Sequence, residues 1–95
     1  MHETGLVREL VRRIAHAVHE AGANGVSDVH VWMGALVPFS LEHFREHFEE
    51  EVRGTPVEGA ALHIESSDDI DDTNAQHVIL KRISLRVPPD EQDGP

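Results

Sequence analysis

The chain contains no cysteine, which excludes disulfide stapling, thiolate nucleophiles and any zinc site built on sulfur. Positive charge is scarce: 8 Lys and Arg stand against 18 Asp and Glu, giving a formal net charge of -10. Such an excess opposes nucleic acid and anionic lipid and favours cations or basic protein surfaces. No apolar run nears the roughly 18 residues of a membrane helix, and the start lacks a basic segment followed by an apolar one. A soluble, cytoplasmic protein with no membrane association is therefore expected. There is no Gly-rich phosphate loop and no serine with a paired base, so no enzymatic activity is expected.

What is present is enough for one core, since the chain has 95 residues. On a helical wheel Leu6, Val7, Leu10, Val11, Ile14, Ala17, Val18 and Ala21 share one side, opposite Arg8, Glu9, Arg12, Arg13, His16, His19 and Glu20. This predicts an amphipathic helix, entered near Thr4 as N-cap and ended at Gly22. In "VSDVHVWMG" Val29, Val31 and Met33 alternate with His30 and Trp32, the period of a half-buried strand. Ser40 is placed to cap a second helix with the stripe Leu41, Phe44, Phe48 and Val52, closed by Gly54. "ALHIE" reads as a short strand, "SSDDIDDTN" as an acidic loop, and "HVILKRISLRV" as the longest strand. The order α-β-α-β-β predicts an α+β fold with two helices on one face of a three-stranded sheet. Leu10, Ile14, Val31, Phe44, Phe48, Leu62 and Ile64 should share its core. Residues 1–88 are expected to form a single domain, with 89–95 as an acidic, Pro-containing tail outside it.

"MHE" at the start, the long helix, "GANGVSDVHVWMGAL", "SLEHFREHFEEEVRGT" and "VEGAALHIE" together resemble the nickel-incorporation metallochaperones that mature hydrogenase and urease. The resemblance spans residues 1 to about 65 and, more weakly, "VILKRISLRV". It implies a nickel-binding accessory protein with Ni(II) held at Met1, His2 and Glu3. A nickel-insertion GTPase and a nickel-enzyme precursor are the partners it implies. Members of that family carry a zinc module on two pairs of cysteines between the last two strands. Here "SSDDIDDTNA" occupies that position, so no zinc is expected.

The first three residues support the nickel assignment through their own chemistry. The Met1 amine and His2 amide close a five-membered chelate, and the His2 amide with its Nδ1 closes a six-membered one. Three nitrogens then lie in one plane, the tetragonal set suited to Ni(II) and Cu(II) rather than to zinc. The fourth position is open to the Glu3 amide, the Glu3 carboxylate or a ligand from a partner. His2 is bulky, so retention of Met1 is expected.

The other histidines read more simply. His43 and His47 stand four apart, a spacing that can bite one metal from a single helix face. Among Glu42, Glu46, Glu49, Glu50 and Glu51 and off the apolar stripe, they read first as part of a solvated acidic face, with weak adventitious metal binding as the alternative. His16 and His19 lie on the polar side of the first helix. His30 and His63 would be cross-strand neighbours beside Trp32, as plain sheet surface or as a docking place. The alternative to a nickel carrier is a metal-free interaction module that uses the first helix or the Trp32 face.

Overall fold

The computed structural model describes residues 3–87. Helix α1 spans Glu3–Ala21, strand β1 Gly25–Met33, helix α2 Leu41–Glu51, strand β2 Ala61–Ser66 and strand β3 Val78–Arg86. The α+β order is the expected one, and the strands form one sheet in the order β2-β1-β3. β1 pairs with β2 in parallel, as a crossover through α2 requires, and with β3 antiparallel. Placing β1 in the centre gives the most regularly alternating strand a partner on each side.

α1 ends as its sequence predicts. Gly22 takes φ +64°, its N–H donates to His19 O, and Ala23 N–H donates to Val18 O. This is the Schellman closure, which needs a left-handed residue at that point. The start differs from expectation, because the helix already includes Glu3 and Thr4 lies exposed inside its first turn. An acidic side chain suits a helix N-terminus through the helix dipole, and Glu3 is drawn inward against α2 rather than leaving Thr4 to cap. β3 is matched in length by β1 at 9 residues each.

The two helical stripes close over the sheet. Val7, Leu10, Val11, Ile14 and Val18 of α1 meet Phe44, Phe48 and Val52, with Val29, Val31, Met33 and Leu62 beneath. Of the seven expected core residues, Ile64 alone is only half-buried, because β2 is an edge strand. Glu3 lies beside His43 and His47, and Arg8 Nε meets Glu51 Oε1 at 3.2 Å further along. The two helices therefore run in the same direction, and the first turn of α1 lies over the first half of α2.

The acidic segment between β2 and β3 is a folded connection. Asp69 and Asp72 carboxylates accept from the N–H groups of Asp71 and Asn74 in successive Asx turns. The turn then docks on the end of β1, with Gly34 N–H donating to His77 O at 3.0 Å and Leu36 N–H to Ala75 O at 2.7 Å.

Candidate metal centre

Ser40 sets the geometry of α2. Its backbone is extended and its hydroxyl accepts from His43 N–H at 3.1 Å, so the helix begins one residue later and His43 falls in its first turn. His47 stands one turn on, over the same face. With Phe44 and Phe48 buried in the core, the two imidazoles border the helix seam, facing the beginning of α1.

Glu3 completes the group. Its Oε1 lies 3.3 Å from Nδ1 of His43 and 3.3 Å from Nδ1 of His47, and the two rings are 4.7 Å apart. The Glu3 side chain is only 11% exposed. The other carboxylate oxygen, Glu3 Oε2, and His47 Nδ1 are buried and make no hydrogen bond among the described residues. The approach of His47 to Glu3 is therefore close without being aligned for proton donation. Buried polar atoms left in this way are costly unless something satisfies them. One donor atom from each of Glu3, His43 and His47 lies within 4.8 Å of the others.

Of the residues expected to bind metal, Glu3 is thus placed in a cluster of donors, while Met1 and His2 lie outside the described residues. Sequence reasoning favoured a solvated face for His43 and His47 over metal binding by the pair, and His43 is exposed whereas His47 is half-buried. What it missed was their proximity to Glu3. A helical wheel separates the histidines from the apolar stripe but cannot say which residue of another helix comes to meet them. The available signal was the four-residue spacing behind a capping serine.

A second group lies on the opposite sheet face. His30 and His63 pair in register and stack, and His63 Nε2–H donates to Asp28 Oδ1 at 2.9 Å. That hydrogen bond, and one from the Ser27 hydroxyl, hold the Asp28 carboxyl below the usual carboxylate range. His30 is pushed below the ordinary imidazole value, first by burial and then by the neighbouring Arg82. The arrangement sets an exposed and a half-buried imidazole beside Trp32 and the Asp28 carboxylate, but the donor atoms of the three do not form a converging group among the described residues.

A groove of about 780 Å³ runs between the start of α1 and the segment after β1, lined by Leu6, Leu10, Leu36, Val37, Phe39 and Val78. Leu36 is 47% exposed at its edge. No helix among the described residues is long and apolar enough to cross a membrane.

Comparison with known proteins places this geometry in context. A family model described as hydrogenase/urease nickel incorporation, metallochaperone, HypA matches residues 1–70. Hydrogenase maturation factor HypA from two strains of Chloroflexus aurantiacus is 37% identical over 65 residues, which cover 68% of this chain and 57% of each relative. The chain thus spans a little over half the length of the curated relatives it matches. The solution structure of the nickel metallochaperone HypA from Helicobacter pylori superposes with a TM-score of 0.77 at 16% identity, covering 93% of this chain and 100% of that one. At that identity the likeness establishes the fold.

Proposed function

This chain belongs to the HypA family of hydrogenase/urease nickel-incorporation metallochaperones, and we propose that it binds Ni(II) through Met1, His2 and Glu3 and delivers it in the maturation of a nickel enzyme such as hydrogenase or urease. It acts as a carrier and catalyses no reaction. A nickel-insertion GTPase and the enzyme precursor are its partners on this reading. The observation that carries it is the Glu3 carboxylate, largely buried at the start of α1 with Oε2 unpartnered among the described residues. A carboxylate held there adds an oxygen donor to the nitrogens that Met1 and His2 supply when Met1 carries the free amine. The planar nitrogen set selects nickel and copper over zinc by geometry, and copper should compete better by intrinsic affinity.

Nickel titration of protein with its native N-terminus tests the claw. Stoichiometric Ni(II) with yellow square-planar absorption is expected, with release in acid because the nitrogen donors must lose protons to bind. An N-terminal extension should weaken uptake as much as His2→Ala does. Equal affinity and the same absorption in extended protein would rule the claw out.

A second reading, a metal-free interaction module, draws on the apolar groove and the exposed Leu36. It predicts that Leu36→Asp abolishes association with the GTPase while His2→Ala leaves association intact. Loss of association in His2→Ala alone would dispose of this second reading.

A further inference from the structure

We propose that Glu3, His43 and His47 form a divalent transition-metal site in their own right, built from one carboxylate and two imidazoles and needing no free α-amine. The inference goes beyond the N-terminal claw, because two of its three donors belong to α2.

Distance supports the site first. Ligands about 2.0–2.2 Å from a shared ion stand about 3.0–3.5 Å apart along the edges of an octahedron or tetrahedron. Both Glu3 Oε1 to imidazole Nδ1 distances are 3.3 Å. Ion pairing between these residues would produce similar separations, but it would also align a donor with an acceptor. Among the described residues the buried His47 Nδ1 atom has no hydrogen bond, and Glu3 Oε2 is in the same condition. An ion between the three side chains gives the imidazole nitrogen a ligand bond and the carboxylate a positive neighbour.

Rigidity supports it second. The Ser40 cap fixes the turn that carries His43. Phe44 and Phe48, each the residue after one of the histidines, anchor the same turns in the core. The Arg8 to Glu51 ion pair spans the same helix seam. The donors therefore converge from two packed helices rather than from a loop, which keeps three ligands close to their bound positions before the ion arrives.

The donor set decides the class of ion. Imidazole and carboxylate together suit Co(II), Ni(II) and Zn(II), whereas calcium and magnesium require mostly oxygen. Three protein ligands leave further positions for water or for a donor from a partner, so the site is open and exchangeable. Exposure of His43 provides the route by which an ion enters and leaves.

Cobalt(II) titration of protein bearing a short Gly-Ser extension before Met1 isolates this site, because the extension removes the claw. One equivalent of Co(II) with visible d–d absorption is expected. His43→Ala with His47→Ala should weaken it at least tenfold, as should Glu3→Gln, while His16→Ala with His19→Ala should leave it unchanged. Native far-UV circular dichroism in each variant keeps the comparison meaningful. The proposal is overturned if extended protein takes up no Co(II), or if the His43 and His47 double variant binds undiminished. The same variants separate the two sites. Nickel binding lost on extension but untouched by the double variant leaves the claw standing and removes this site, and the reverse pattern does the opposite.

Discussion

His30 and His63 stack across the parallel β1–β2 pair with ring centroids 4.4 Å apart and planes within 13° of each other. Direct register opposition on the face away from the helices brings them together. The contact leaves the His63 ring free to reach Asp28, two residues back along β1, while the His30 ring lies near Arg82 of β3.

This arrangement has a signed consequence for pH. Asp28 and His30 both have folded pKa values below their ordinary values of 3.8 and 6.5. The unfolded chain therefore binds more protons between each group's folded and ordinary values, and stability rises with pH there. The contribution is fully present above pH 6.5 for His30 and above 3.8 for Asp28, and is lost as pH falls through each folded value. An NMR titration should give His30 a midpoint below 6.5. Asp28→Asn should lower it further, since that carboxylate is the influence raising it. An unchanged or higher midpoint in the variant contradicts this account of the face.

Phe48 is 1% exposed and joins both helices to the sheet core. Phe48→Ala should destabilise the protein by about 3–5 kcal/mol in a denaturant melt, through lost apolar transfer and the cavity left behind. A loss below about 1 kcal/mol would be incompatible with the packing of α2 described above.

Gly34 has no room for a side chain. A Cβ there would fall on the Ala75 carbonyl and 2.6 Å from Asn74 O, both backbone atoms of the docked acidic connection. Gly34→Ala should cost about 1–3 kcal/mol by overpacking and increase amide exchange across residues 67–77. Protection equal to wild type in that segment would show that the connection is not held against β1.

Zinc should not be retained through chelation. With no cysteine in the chain, a closed four-ligand zinc site would need histidines and carboxylates that the described residues do not assemble. The open Glu3, His43 and His47 group should surrender any ion to EDTA. Elemental analysis of tag-free, EDTA-treated protein should find no stoichiometric zinc, and tightly held zinc would demand a ligand set not described above.

The sequence by itself determined the elements and the faces they bury. Apolar residues at helical spacing in α1 and α2 and at alternate positions in β1 leave few ways to remove those side chains from water. Gly22 and Ser40 mark boundaries through backbone chemistry that is local to a few residues, and both are legible without a structure. The claw proposed at the N-terminus rests on the same kind of local reading, because chelation by adjacent residues depends only on neighbouring bonds. Strand order, the docking of the acidic connection on Gly34 and the meeting of Glu3 with His43 and His47 were decided by tertiary structure alone. Glu3 lies 40 and more positions before those histidines, and no local pattern encodes that distance. It follows from two helices running the same way over one sheet, a relationship set by the parallel β1–β2 crossover and by closure of a shared core.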